Sequence, residues 1–342
     1  VSEDTDHPWL EIERPAHNVT VVRPHMRAEY PFYVGEQVPI LTELVQSLAQ
    51  EQGIRRPALW LYSPMPLPVA RTLQPRALAY DCMDELSSFR YAPPELLQRE
   101  AELLQSADVV FTGGPSLYRA KQGRHHNVHC FPSSIDVAHF DKARANNIAD
   151  PPDQAQLPHP RLGYFGVIDE RLDYSLLRSL AQARPQWQVV MVGPTIKVDP
   201  ADLPHAPNVH YLGQRPYEEL PAFIAGWDVA MMPFALNDAT RYISPTKTLE
   251  YMAAGKPTVS TPVTDVQEPY GDIVYIAHGV EAFVQACERA LNAPAAERQR
   301  RQQQADRVLA ETSWDDTARR MMALLDTAVR ERTVRTNSSN VR

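Results

Sequence analysis

Lys247 stands where a helix ordinarily excludes a cation. In the segment RYISPTKTLEYMAAGKP (241–257), Ser244 suits a helix N-cap and Pro245 the first helical position. Gly255 suits the C-terminal cap, and Pro257 opens the next strand. The spacing predicts a helix over 245–254 with Lys247 in its first turn. There the positive end of the helix dipole disfavours a cation by ~0.3–1 kcal/mol. An anion bound at the helix start reverses that sign, because free backbone N–H groups and the ammonium then serve one ligand. Phosphate is the first candidate. Glu250 lies three residues on, on the same face, where a carboxylate accepts bonds from ribose hydroxyls. The competing reading of the same pair is an exposed Lys247–Glu250 ion pair on an ordinary helix.

Other patterns set bounds on the chemistry. Gly113-Gly114-Pro115-Ser116 ends a predicted strand and opens a helix, which suits a phosphate or sugar cradle and equally a tight turn. The 11 histidines show no HExxH spacing, and although His125 and His129 stand four apart, His125, His126 and His129 read as surface residues rather than metal ligands. Cys82, Cys130 and Cys287 lie far apart with no CxxC, which excludes a zinc ribbon and a disulfide framework. No GxGxxG follows a strand, so a dinucleotide dehydrogenase is disfavoured. A net charge of −8 argues against a duplex-coating basic surface and hence against nucleic acid as partner.

The elements that position these residues alternate. Short β-branched runs at 19–23, 58–62, 76–81, 108–112 and 128–131 are separated by helical patterns at 40–52, 94–105 and 116–122. The rhythm resumes with strands at 161–164, 188–192, 209–212, 229–233, 257–260 and 274–276, and helices at 174–183, 217–225, 245–254 and 280–293. Such alternation implies parallel sheets covered on both faces, hence two Rossmann-like domains of α/β class. With 342 residues, two cores of ordinary size are expected. The prolines cluster at 64–68, 93–94, 151–152 and 158–160, where they read as turn and linker punctuation. Residues 141–160 read as the linker between a first domain over 1–140 and a second over 161–310. A last helix over 313–330 opens on a capping box formed by Ser313 and Asp316. Its apolar stripe (Trp314, Met321, Leu325, Val329) needs a partner surface, and the expectation is that it crosses back to the first domain. The polar segment 295–304 and a flexible tail over 331–342 read as solvated. Arg298, Arg300 and Arg301 read as part of that solvated face, with contact to anionic lipid as the alternative.

SPTKTLEYMAAGKPTVST resembles the donor-binding segment of family 4 glycosyltransferases of the GT-B fold. CFPSSID (130–136) resembles their passage from the N-terminal domain into the linker, and RLGYFGVIDER (161–171) their first strand and loop of the C-terminal domain. The resemblance implies two Rossmann-like domains whose parallel sheets face a central cleft. It implies a retaining glycosyltransferase that moves a sugar from a UDP- or GDP-sugar to a carbohydrate or lipid-linked acceptor, in polysaccharide or glycoconjugate synthesis, without an obligatory metal or other cofactor. Carried over by position, Glu250 matches the ribose carboxylate. Lys247 with Ser244 and Thr246 matches the diphosphate grip, Arg171 the opposing cation, and Gly166 the close backbone approach. Where the family often has a second glutamate this chain has Tyr242, which leaves Asn237 and Asp238 as candidates for the sugar contact. In YDCMDE (80–85), Asp84 and then Asp81 match the position where relatives place a His–Asp pair near the sugar.

One departure is expected to matter. The stretch 2–14 is polar, acidic and unpatterned, and the first strand–helix–strand unit of a GT-B domain is missing, as in a fragment. A nucleotide-sugar epimerase of the same fold, or a catalytically silent nucleotide-sugar-binding or scaffold protein, therefore stay open beside the transferase. With no signal peptide and no apolar run long enough to span a bilayer, a cytoplasmic protein is expected, with peripheral contact at the inner membrane face as a variant.

Overall fold

A computed structural model describes residues 7–26, 33–145 and 147–339, with side chains of the last helix described as far as residue 334. The first elements form an antiparallel hairpin, β1 (Trp9–Ala16) and β2 (Val19–His25). The region read as unpatterned thus contains a strand; residues 2–6 of it lie outside the described residues. Most of β1 faces water on both sides, so no apolar alternation marks it.

Two parallel sheets follow. The first comprises β3 (Ala58–Leu61), β4 (Ala77–Cys82), β5 (Val109–Thr112) and β6 (Val128–Cys130), lying in that order. With it go α1 (Gln37–Glu51), α2 (Leu67–Thr72), α3 (Leu96–Ser106) and α4 (Pro115–Lys121). α5 (Val137–Asp141) and α6 (Pro152–Ala155) lead to the second sheet. Its strands are β7 (Arg161–Phe165), β8 (Gln188–Val192), β9 (Val209–Gly213), β10 (Val229–Met232), β11 (Thr258–Ser260) and β12 (Tyr275–Ile276). They lie in the order β12-β11-β10-β7-β8-β9, all parallel. Around them pack α7 (Tyr174–Ala183), α8 (Leu220–Ala225), α9 (Lys247–Ala253), α10 (Thr264–Tyr270), α11 (Val280–Leu291) and α12 (Ala295–Ala310). Every residue of β4, β5, β7, β8 and β10 is buried, as a parallel sheet covered on both faces demands.

Close packing in the second half depends on Gly163, at the centre of β7. A Cβ there would overlap the buried Trp227 indole. Trp227 is in turn fixed by a 2.8 Å bond from its Nε1 to Gln154 Oε1. Gly163→Ala is therefore expected to lower the stability of this half by ~1–3 kcal/mol, the usual penalty of overpacking, and thermal melting would show it.

Two expectations about segments need correction, and a third holds for exposure while its backbone is helical. Residues 141–160 are not a plain loop, because they carry α6 and pack on the second half: Arg144 donates to the Ala253 and Met252 carbonyls, and Gln154 is buried. The polar segment 295–304 has no buried residue, as a solvated segment should, but it forms most of helix α12, which packs on α9 and buries Ala305 and Leu309 beyond it. The last helix, α13 (Trp314–Ser339), runs through most of the expected flexible tail, and residues 340–342 lie outside the described residues. The Ser313 hydroxyl accepts the Asp316 N–H at 3.2 Å, while the Asp316 carboxylate turns to Arg319 instead of closing a capping box. Met321, Leu325 and Ala328 of α13 lie on the first sheet against Ala77, Ala79, Val109 and Phe111. Small alanines on that face let the helix come close.

Candidate active site

In the second sheet the strand order reverses between β7 and β10, and open α/β sheets bind ligands beyond the strand ends at such a reversal. Gly166 lies immediately past β7 with φ +135°, and Gly193 past β8 with φ +145°. The two loops cross so tightly that a Cβ on Gly193 would run into the Gly166 carbonyl oxygen. A Cβ on Gly166 would in turn press on the Lys247 side chain and lie 2.8 Å from its Nζ. Glycine at 166 therefore leaves the channel through which Lys247 reaches the switch point.

The Lys247 ammonium is half-buried over the Tyr164 and Phe165 rings, 5.7 and 5.6 Å from their centroids. Burial and then the nearby Arg171 cation lower its pKa, while Glu250 and Asp169 pull the other way. Arg171 follows on the loop after β7. Asp169 grips its guanidinium with bonds of 2.9 and 3.1 Å to Nε and 2.7 Å to Nη2, and also accepts the Arg171 backbone N–H at 3.0 Å. Two cations are thus aimed at one place and partly desolvated. Their mutual repulsion is relieved by an anion bound between them.

Glu250, one turn into α9, has a carboxyl pKa raised by burial, against the pull of Lys247 and the Thr246 side chain. Its Oε2 is buried with no hydrogen-bond partner. A buried carboxylate oxygen without a donor is costly, so this atom suits a ligand hydroxyl. From the first half, the loop after β4 brings Asp84 opposite. Burial raises the Asp84 carboxyl pKa and the Arg171 cation opposes that rise; Phe89 of the same stretch lies 5.8 Å below the guanidinium.

Residues 172–323 match the family model described as glycosyl transferase-like. Over 286 residues the chain is 28% identical to a Bacillus subtilis (strain 168) protein named as a teichuronic acid biosynthesis glycosyltransferase, TuaH, with 76% of this chain and 69% of that one covered. Among solved structures, a trehalose 6-phosphate synthase from Burkholderia multivorans superposes with TM-score 0.70 at 16% identity, over 96% of this chain and 90% of that one. The chain is a glycosyltransferase of the GT-B fold. A sucrose-phosphate synthase from Thermosynechococcus elongatus superposes with TM-score 0.66 at 19% identity, covering 95% and 87%. A trehalose-6-phosphate protein from E. coli bound with UDP-2-fluoro glucose gives 0.69 at 16%, covering 95% and 90%. No described helix of this GT-B chain is long and apolar enough to cross a membrane.

Lys247, Arg171, Glu250, Thr246, Gly166 and Asp84 therefore meet around one cleft. The other candidates do not. α9 begins at Lys247 with Thr246 before it, so Ser244 is not the N-cap; it packs beside Gly114 of the first half. The turn from Gly113 to Ser116 is no open cradle, because the Asp265 carboxylate at the start of α10 already fills it. Asp265 Oδ1 accepts the Ser116 N–H at 2.9 Å, and a Cβ on Gly114 would strike Asp265 Oδ2. Gly113 is needed for a different reason, since its Cβ would lie 2.8 Å from the Met83 carbonyl oxygen. Asn237 spends its side chain capping a short turn with Thr240 and bonding the Glu170 carbonyl at 3.0 Å, and Asp238 is exposed. Tyr242 packs on the apolar core of the first half. Asp81 points into a separate cavity beneath α13.

Two residues that matter here escaped the sequence reading. Asp169, which fixes Arg171, stands two positions before it in the loop and was legible as an acid–base pair. Asp265 is 149 residues from the Ser116 N–H it binds, and nothing local announces that contact.

Proposed function

We propose that this GT-B chain transfers a sugar from a nucleotide-diphosphate sugar to a carbohydrate acceptor in polysaccharide synthesis, with retention of configuration and without an obligatory metal. The observation that carries the reading is the pair of partly desolvated cations, Lys247 and Arg171, converging beside Glu250, whose Oε2 has no hydrogen-bond partner. The diphosphate lies between the two cations and the start of α9, close to the Gly166 backbone, and Glu250 Oε2 accepts from the ribose diol. As the sugar–phosphate bond breaks, charge grows on the departing diphosphate, and groups already in place stabilise it without reorganising. Asp84 faces that point from the other side of the cleft, where a carboxylate can hold a sugar hydroxyl or balance positive charge developing on the ring. The reading agrees with the neighbour that carries UDP-2-fluoro glucose, and with the teichuronic acid role in the name of TuaH.

The test is incubation with UDP- and GDP-sugars plus oligosaccharide acceptors. Free nucleotide diphosphate with a lengthened acceptor supports transfer. An isomerised donor would mean epimerisation, and bound but unaltered donor a silent binding protein.

Binding should also carry two pH limits. The Glu250 pKa is raised above 4.5, so affinity falls on the acid side beginning above that value. The Lys247 pKa is lowered below 10.5, so affinity falls on the alkaline side beginning below that value. Glu250→Gln removes the acid limit that Glu250 contributes, leaving the titrations of Asp84 and of the ligand's own phosphate. It should also weaken ribonucleotides more than 2′,3′-dideoxynucleotides. Equal losses for both sugars would show that Glu250 does not read the ribose.

A further inference from the structure

The cavity between the first sheet and the last helix involves none of the groups around Lys247. It holds about 390 Å³, where Trp60, Tyr62 and Asp81 near the ends of β3 and β4 face Phe131 and the first turns of α13. Two of its rings are unusually open for aromatics, Tyr62 at 65% exposed and Trp314 at 51%. Asp81 lines the same cavity and is only 3% exposed. The Trp60 indole N–H donates to Asp81 Oδ2 at 3.0 Å, while Asp81 Oδ1 is buried with no hydrogen-bond partner. Leaving such an oxygen without a donor is costly, so the fold keeps Asp81 here at a loss that a ligand's hydroxyl would recover.

We propose that this cavity is a pyranose-binding subsite for the acceptor, with Asp81 Oδ1 accepting a sugar hydroxyl and the Tyr62 and Trp314 rings covering the sugar's C–H faces. The proposal rests on the transferase reading and extends it to how the acceptor is held. An alkyl or prenyl chain would match the apolar walls, but it offers Asp81 Oδ1 no donor and leaves its cost in place. Asp81 and Asp84 lie three residues apart, at the end of β4 and in the loop beyond it. The acceptor therefore runs from the Asp84–Arg171 side of the cleft toward α13, with a sugar residue lodged against Trp314. The buried carboxylate also sets a preference, for neutral pyranosides over hexuronates.

The full chain should be tested by saturation-transfer NMR with the methyl glycosides of glucose, galactose, N-acetylglucosamine and glucuronic acid, and with 1-octanol, beside titrations with UDP and GDP. At least one neutral glycoside is expected to bind, more strongly than the glucuronide. Its affinity should fall at least about fivefold, the equivalent of one neutral hydrogen bond, in Asp81→Asn. It should fall likewise in Trp314→Leu, whose half-exposed position tolerates substitution, while nucleotide binding stays at the wild-type level in both variants. Glycoside binding that survives both substitutions, octanol binding without any glycoside, or nucleotide binding with no glycoside bound would each overturn the subsite and leave the donor reading standing. Glycoside binding that depends on Asp81 in a chain that binds neither nucleotide would keep the subsite and remove the donor reading.

Discussion

Lys247→Ala is expected to lower turnover of the nucleotide sugar by ~10²–10³-fold, the usual loss when one preorganised group facing developing charge is removed. The reason lies in the setting of the ammonium. It is half-buried, sits near a second cation at Arg171, and is confined by Gly166 to a single channel. Affinity for the nucleotide diphosphate should fall by the equivalent of one charge-assisted bond, ~1.5–3 kcal/mol, while affinity for the nucleoside stays nearly unchanged. The melting temperature should change little, because the variant loses the conflict with the helix dipole and the repulsion from Arg171 but also the larger attraction to the buried Glu250. Steady-state kinetics with a melting curve check all three points. Wild-type turnover in the variant would remove Lys247 from the reaction.

The second large effect is on stability and comes from the first half. Lys121, at the end of α4, is fully buried. It donates to Glu100 Oε1 at 2.6 Å and to Glu85 Oε2 at 2.7 Å, while Glu100 also accepts from the Tyr80 hydroxyl and from Arg124. Lys121→Met removes the shared cation and leaves two carboxylates facing each other, one of them deeply buried. Breaking a buried ion pair from one side costs ~3–5 kcal/mol, so thermal or urea unfolding should show a loss of that size. Adding Glu100→Gln to the variant should restore part of it, since the stranded charge is then gone. The sign of the pH dependence also follows. Burial alone would lower the Lys121 pKa, but Cys82, Glu100 and Glu85 together leave it raised above 10.5. The stability that Lys121 supplies is therefore complete below pH 10.5 and is lost as pH climbs through the raised value. Because Glu85 adjoins Asp84, the variant should also weaken transfer by loosening the loop that faces Arg171. A loss below about 1 kcal/mol, the range of an exposed pair, would contradict the account of this network.

The donor side of the cleft was legible because its signals are local. Ser-Pro before the helix, Gly-Lys-Pro after it and a lysine against the dipole all fall within 17 residues, and α9 lies there with Lys247 and Glu250 on the cleft. The central strands of both sheets were legible because full burial writes near-continuous apolar runs. What escaped has physical reasons. β1 is wet on both faces and carries no alternation. α2 hides among the prolines at 64–68, where Pro66 and Pro68 start a helix instead of ending one. α12 buries only Ala305 and Leu309, too few apolar positions to separate a packed helix from a solvated one. The filling of the Gly113–Ser116 turn by Asp265 is a contact between halves of the chain, and spacing within either half says nothing of it.

The place between Lys247, Arg171 and Glu250 is proposed to hold a nucleotide diphosphate. Calorimetric titration of the unmodified chain with UDP, GDP, uridine and guanosine tests it most directly, because it needs neither acceptor nor turnover. At least one diphosphate is expected to bind, and its parent nucleoside to bind more weakly by at least about tenfold, the equivalent of one charge-assisted bond. Equal affinity for diphosphate and nucleoside, or no binding of either diphosphate, would contradict it.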